Sequence, residues 1–303
     1  MRTVINTPSG KIGAVVAEKL LDAGKEVTII SRHPQKVTAL FKRGARLVEG
    51  SIDDLSVLDT AMKGADALFW VTPPDYQRPD FVSWVEAIAT TAAATAANNK
   101  IKHAVVLSSA GAQAGAKAGP LGALLTVENA FKNALSQVTV LRAGFFMENF
   151  LNDIPTIINS STIYGYLPIG EKIPMVATSD IAQKVVDILL AKPQKGFHIE
   201  GIHGPEHLTP TLAAAFISQG IGMPVKYEEI TTNQARKGMQ ETGTPNFIAN
   251  MLIEMITAVK AGKTYTAEPR TPDTTTPTSL LEFARTIIKP AVEIESRKKL
   301  VRK

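Results

Sequence analysis

A turn of small residues, Ser9-Gly10-Lys11-Ile12-Gly13, directly follows the β-branched run Thr3 to Ile5 and opens a helical pattern. No other feature of the chain constrains its fold as much. A helix starting there presents unsatisfied N–H groups and a partial positive charge, which favour an anion. Val15, Val16, Leu20 and Leu21 recur at helical spacing, and Gly24 supplies a stop. Val27 to Ser31 reads as the next strand, so the opening is one βαβ unit.

The alternation continues. Further strands are expected at Arg46 to Glu49, Ala67 to Val71, His103 to Leu107 and Val138 to Arg142, giving six parallel strands in all. Helices are expected at Leu55 to Met62, capped by Asp53 or Asp54, at Phe81 to Asn98, and at Leu121 to Leu135. After Asn149 the pattern loosens, with prolines at 155, 168 and 174, before a helix at Asp180 to Leu190 and a strand at Gly196 to Glu200. Helices then read at Thr209 to Gly220, Phe247 to Ala261 and Leu280 to Ile287, with a Thr/Pro-rich loop from Thr271 to Thr278. The fold class is α/β, a Rossmann-type doubly wound parallel sheet with a smaller C-terminal substrate lobe.

A chain of 303 residues can bury such a core and still build one lobe. The absence of cysteine excludes a disulfide scaffold, a thiolate nucleophile and a cysteine metal site, and it fits a reducing cytoplasm. The first strand reaches its turn within eight positions, which leaves no room for an export signal, and the Ala/Thr run from Ala87 to Ala97 is far short of the roughly 20 residues that span a bilayer. The expectation is a cytoplasmic protein with no membrane contact. Basic residues give a net charge of +5 but are scattered, so no specific nucleic acid is expected. The exception, Arg297-Lys298-Lys299 with Arg302-Lys303, reads as a solvated, frayed end.

The anion best suited to the first turn is a dinucleotide pyrophosphate. Gly10 would allow close backbone approach and Gly13 tight helix–strand packing; a turn that needs small residues only for packing is the alternative. Where dinucleotide folds carry their first glycine, this chain has Thr7, followed by Pro8 without an N–H. The turn must therefore avoid positive φ at Thr7, and the hydroxyls of Thr7 and Ser9 can add contacts. The second strand ends in Ser31-Arg32-His33-Pro34-Gln35-Lys36, with no carboxylate for a ribose 2′-hydroxyl. Arg32 and Lys36 instead suit a 2′-phosphate, favouring NADP(H) over NAD(H); a solvated charged turn is the alternative.

Taken together, the first turn, Ser31-Arg32, Gly50-Ser51-Ile52-Asp53-Asp54, Val71-Thr72-Pro73-Pro74, Leu107-Ser108-Ser109-Ala110 and Leu141 to Asn149 resemble the NmrA-like family of atypical short-chain dehydrogenase/reductases. The resemblance covers essentially the whole chain. It implies that Lys11 and Ile12 belong to the cofactor turn, that Ile52 and Asp53 lie near the adenine, and that Val71, Thr72 and Pro73 pass under the cofactor's middle. It also implies that Ser108 and Ser109 are cofactor-side residues and that Phe145, Phe146 and Asn149 flank the nicotinamide as a substrate pocket. Plain core packing competes for Phe145-Phe146-Met147. The domains expected are residues 1–153 as the NAD(P)-binding domain with 174–203 returning to it, 154–173 and 204–288 as the lobe, and 289–303 as a basic tail.

Short-chain reductases usually pair a Tyr with a Lys four residues on. Here the residues four beyond Tyr76, Tyr164, Tyr166, Tyr227 and Tyr265 are Asp80, Pro168, Gly170, Thr231 and Pro269, and the helix after Ser108-Ser109 carries Glu128. No catalytic residue is therefore assigned. Hydride transfer to a quinone- or dye-like conjugated acceptor needs chiefly proximity and a dry pocket. The family resemblance implies such a reductase, or a non-catalytic NADP(H)-binding redox sensor docked on a protein partner. A scaffold whose Thr7-Pro8 turn no longer takes a dinucleotide is a third reading, and a homodimer stays open. No metal site is expected: His203, Glu206 and His207 flank Gly204-Pro205 with no third ligand in view. Nor is a Ser-His-Asp set, since His103 sits at the far end of the strand that carries Ser108.

Overall fold

The computed structural model describes every residue except Lys263, Thr266, Ala267, Arg302 and Lys303, and the side chains of Leu300 and Val301. In chain order the elements are β1 (Arg2–Ile5), α1 (Lys11–Asp22), β2 (Glu26–Ser31), α2 (Thr38–Lys42), β3 (Arg46–Glu49), α3 (Leu55–Met62), β4 (Ala67–Val71), α4 (Phe81–Asn98), β5 (His103–Ser109), α5 (Pro120–Ala134) and β6 (Gln137–Ala143). There follow β7 (Phe145–Phe146), α6 (Ile154–Ser160), β8 (Thr162–Gly165), β9 (Ile173–Val176), α7 (Thr178–Leu190), β10 (Gly196–Ile202), β11 (His207–Leu208), α8 (Pro210–Ile221), β12 (Lys226–Glu229), α9 (Thr232–Glu241), α10 (Asn246–Lys260), α11 (Leu280–Phe283) and α12 (Lys289–Val301). Among the described residues no helix is long and apolar enough to cross a membrane. The chain forms two compact units, Met1–Arg142 with Ile181–Glu200, and Ala143–Asp180 with Gly201–Lys303.

The first unit is built on a sheet of order β10-β6-β5-β4-β1-β2-β3. The pairs β2–β3, β1–β2, β1–β4 and β4–β5 are parallel. All six expected strands are present, five of them in these parallel pairs, and the strand order reverses across the sheet between β1 and β4. In the Rossmann arrangement a ligand lies at that switch point, outside the carboxyl ends of the strands. Helices cover both faces, so the central strands are buried on both sides and read as continuous apolar runs: β4 is Ala-Leu-Phe-Trp-Val, and its first four residues are buried. Trp70 is fully buried against the Phe131 ring at 5.8 Å, and its indole N–H donates to Thr72 Oγ1 at 3.3 Å. Asp54, of the two candidates, caps α3 by accepting from the Ser56 N–H at 2.8 Å.

The second unit holds a three-stranded sheet, β11-β9-β7, and the pair β12-β8. Phe145 and Phe146 pair in parallel with Met175 and Val176. Gly144 is needed here, because a Cβ would fall 2.4 Å from the Pro174 carbonyl oxygen. Glu148 then accepts from both the backbone N–H and the hydroxyl of Thr178 at the start of α7. The basic end is a correction. Residues expected to fray continue as helix to Val301, through a π turn at Ala284–Ile288 that lies where Pro290 withholds its N–H. Burial of Ile288 and Val292 holds this segment; the expected frayed residues Arg302 and Lys303 lie outside the described ones.

Two groups in the second unit give it opposed pH responses. Burial pushes the Asp153 carboxyl up to about 6, and burial, with the charges of His207 and Arg270, pushes His203 down to about 4. The folded Asp153 holds its proton where the unfolded one has lost it, so its ionisation costs stability as pH rises from about 4 through 6. His203 does the reverse: the unfolded chain takes up the proton first, so stability falls as pH drops from about 6.5 towards 4. These effects offset each other in wild type. Asp153→Asn is expected to uncouple them, so that its stability relative to wild type rises by on the order of 2 kcal/mol between pH 4.5 and 7.5 in urea titrations. A difference independent of pH would show that Asp153 titrates normally.

Candidate functional site

The turn at the switch point is built by close packing. A Cβ on Gly13 would sit 2.1 Å from the Thr7 carbonyl oxygen, so glycine there lets α1 seat on the end of β1. At Gly10, by contrast, φ is −81° and a Cβ would meet that oxygen at an ordinary 3.5 Å. Gly10 is thus not required by the backbone. Thr7 avoids positive φ, as Pro8 and its own Cβ demand, and its carbonyl accepts from the Gly10 N–H at 3.2 Å. No side chain caps α1 and its first turn carries no acid, which leaves the N–H groups of Lys11, Ile12 and Gly13 directed out of the helix start. Ser9, Gly10 and Lys11 are exposed, and Ile12 is buried beneath them.

Sequence reasoning missed Asn6. Its buried carboxamide donates to Val71 O at 2.8 Å and accepts from Val71 N–H at 2.9 Å. A side chain thereby continues the β1–β4 ladder past the last residue of β1 and ties Thr7 to Thr72 and Pro73 on the neighbouring strand end. An asparagine at a strand end reads as a turn residue in sequence, which is why it gave no signal.

At the ends of β2 and β3, Arg32 and Lys36 are exposed, and Arg32 makes no ion pair among the described residues. Asp53 is more engaged than the sequence suggests. It accepts from Ser51 Oγ at 2.6 Å and from the Trp84 indole N–H. Burial opposes its ionisation, but those hydrogen bonds and the charges of Arg78 and Arg32 prevail and hold it below the usual carboxylate range. Arg78, also missed, lies 4.9 Å over the Trp84 ring and pairs with Asp80. Ile52 is buried, while Val71, Thr72 and Pro73 are half-buried.

Ser108 and Ser109 do end β5, but they differ. Ser108 is buried and donates to Glu128 Oε1 at 2.5 Å; Ser109 is half-buried, its Oγ accepting from the Gly111 N–H. Glu128 is 1 % exposed and also accepts from Arg142 Nε at 2.9 Å and Nη2 at 2.7 Å. At the helical position where the Tyr/Lys pair would be sought, this chain has instead a buried ion pair. His103, 3.1 Å from Thr139 Oγ1, lies at the opposite end of β5 from the serines. In the second unit Met147 is core, whereas Phe145 and Phe146 are half-buried and Asn149 is exposed. The rings of His203 and His207 stand 5.6 Å apart, and no cluster of metal-ligating side chains occurs among the described residues.

A reversed parallel sheet with an uncapped, glycine-packed helix start at its switch point defines the class: a Rossmann α/β fold of the dinucleotide-binding kind. The chain belongs to the NmrA-like family, whose profile matches residues 2–298. It is 30% identical to an NAD(P)H azoreductase of Xenophilus azovorans over 82% of this chain and 83% of that one. Its fold matches the crystal structure of an NADPH-dependent quinone oxidoreductase from Escherichia coli complexed with NADPH, with a TM-score of 0.80 at 19% identity over 94% of this chain and 99% of that one. It also matches NmrA, a negative transcriptional regulator in complex with NAD, with a TM-score of 0.78 at 16% identity over 97% of each chain.

Proposed function

We propose that this protein is an NADPH-dependent reductase of a small conjugated acceptor, quinone- or dye-like, that works by hydride transfer without a Tyr/Lys dyad. The observation that carries the reading is the uncapped start of α1 at the switch point, closed onto Thr7 by Gly13. The azoreductase and quinone oxidoreductase relatives support it. When bound, the cofactor supplies the hydride. The residues of this chain bind and orient. The N–H groups of Lys11, Ile12 and Gly13 and the hydroxyls of Thr7 and Ser9 hold the pyrophosphate, with Gly10 leaving room for its approach. Ile52 and Asp53 lie at the adenine, Val71, Thr72 and Pro73 under the middle, and Ser109, backed by Ser108, towards the nicotinamide. Phe145, Phe146 and Asn149 shape the acceptor pocket and keep water out.

Arg32 and Lys36 select the 2′-phosphate. The charge of Arg32 reaches the Asp53 carboxyl and helps to lower its pKa. NADP(H) is therefore expected to raise the melting temperature more than NAD(H) at equal concentration, by mass action on the native state. Arg32→Ala should erase most of that difference, a loss of roughly 1.5–3 kcal/mol for a charged hydrogen bond. Equal shifts for the two cofactors in wild type would remove the NADP assignment.

A redox sensor that binds NADP(H) and a protein partner is the second reading. It rests on the replacement of the Tyr/Lys pair by the buried Glu128–Arg142 pair, and it predicts cofactor binding without turnover.

A further inference from the structure

Two adjacent acids stand at the turn before α3, and the structure gives them different work. Asp54 serves the helix, its carboxylate capping α3 through the Ser56 N–H. The Asp53 carboxylate is held at both oxygens by groups outside that helix. Oδ2 accepts from Ser51 Oγ at 2.6 Å, and Oδ1 accepts from the Trp84 indole N–H. Trp84 is buried on the first turn of α4, with the Phe81 ring 6.1 Å away and the Arg78 guanidinium 4.9 Å over its face. Ser51 is tied down in turn, since its Oγ also accepts from the Asp53 N–H at 3.4 Å.

A buried indole needs an acceptor for its N–H, and a neutral carbonyl would serve. An ionised carboxylate is a different choice, because it has lone pairs to offer and no proton to give. Burial opposes the charge on Asp53, but the hydrogen bonds from Ser51 and Trp84 and the charges of Arg78 and Arg32 hold it below the usual carboxylate range. It is therefore an acceptor only at neutral pH. With one side-chain donor on each oxygen, each keeps a further lone pair, and the residue itself is exposed. Such a group, fixed in one plane, favours an N–H of a planar base and repels a carbonyl oxygen at the same point.

We propose that Trp84 and Ser51 are positioning residues for the cofactor's base: they aim the Asp53 carboxylate so that the site takes a 6-aminopurine dinucleotide and rejects a 6-oxopurine one. This rests on the dinucleotide reading and on Asp53 lying at the adenine.

The test is isothermal titration calorimetry of the full chain with NADP+ and with nicotinamide hypoxanthine dinucleotide phosphate, whose purine carries an oxo group in place of the 6-amino group. Wild type is expected to prefer NADP+ by about tenfold or more, which corresponds to about 1.4 kcal/mol. Trp84→Phe keeps an aromatic ring beside Phe81 and Arg78 and removes the N–H. Its preference should shrink to about threefold or less, with affinity for the hypoxanthine dinucleotide nearly unchanged. A purely structural role would weaken both dinucleotides alike and leave their ratio alone. Ser51→Ala should move the ratio in the same direction, and it decides the matter if Trp84→Phe does not fold. Equal binding of both dinucleotides by wild type overturns the proposal and leaves the dinucleotide site standing, whereas binding of neither removes both. A ratio unchanged in folded Trp84→Phe or in Ser51→Ala overturns it as well.

Discussion

Replacing Glu128 with alanine is expected to lower the unfolding free energy by about 3–5 kcal/mol, the range for removing one partner of a buried ion pair. Glu128 accepts from the Ser108 hydroxyl and from two nitrogens of Arg142, and both charged residues are buried. Without the carboxylate, Arg142 is left charged in the core of the first unit and Ser108 loses its acceptor. The loss comes from the stranded charge more than from the attraction itself. Replacing the pair together, as Glu128→Leu with Arg142→Met, is accordingly expected to cost much less than Glu128→Ala alone. Urea titration reads both. A cost below about 1 kcal/mol for Glu128→Ala would mean that the pair is solvated in solution.

Gly13→Ala carries the second large effect. Its methyl group would stand 2.1 Å from the Thr7 carbonyl oxygen, a backbone atom that cannot rotate away. The end of β1 and the start of α1 must part, at an overpacking cost of about 1–3 kcal/mol or more, and the N–H groups of the first turn move with them. Dinucleotide affinity should fall at least tenfold, which corresponds to a loss of about 1.4 kcal/mol in binding. Gly10→Ala is the matched control: its Cβ has ordinary room and an unstrained backbone. It should fold with stability within about 0.5 kcal/mol of wild type, yet bind the cofactor more weakly, because its methyl group occupies the space of an approaching pyrophosphate. Weakened binding in Gly13→Ala together with unchanged binding in Gly10→Ala would place the phosphates elsewhere.

The first unit was legible because its signals are local. β3, β4, α3 and α4 occupy the ranges read from the sequence, each set by an apolar run or a helical period with a cap or glycine beside it. Much of the second unit was not. β7, β9 and β11 are two to four residues long and exist through distant pairing, Phe145 with Met175 and His207 with Pro174, so no periodicity could announce them. The candidate cofactor turn was visible as glycine spacing, whereas Asn6, Arg78 and the Glu128–Arg142 pair were not. The partner of Asn6 lies 65 residues along the chain and that of Glu128 lies 14 away across a helix and a strand, while Arg78 meets its nearby partners Asp80 and Trp84 only through the fold of the loop before α4. The tail was misread because its basic run, Arg297-Lys298-Lys299, looks like a solvated end, and the π turn that carries the helix past Pro290 has no sequence signature.

The central claim is turnover of NADPH, and its most direct test is loss of cofactor absorbance when the purified protein is mixed with NADPH and a panel of quinones and azo dyes. The account predicts saturable oxidation with at least one acceptor and a rate that varies weakly between pH 6 and 8. Phe146→Ala and Asn149→Ala should slow it more than Tyr164→Phe or Tyr166→Phe, because the proposed function assigns the acceptor pocket to those positions and proton transfer to no tyrosine. Tight NADPH binding with no oxidation across the panel would contradict the reductase reading and leave the sensor. A loss of about 10²-fold in kcat for one tyrosine variant, with a steep pH profile, would contradict hydride transfer without a general acid.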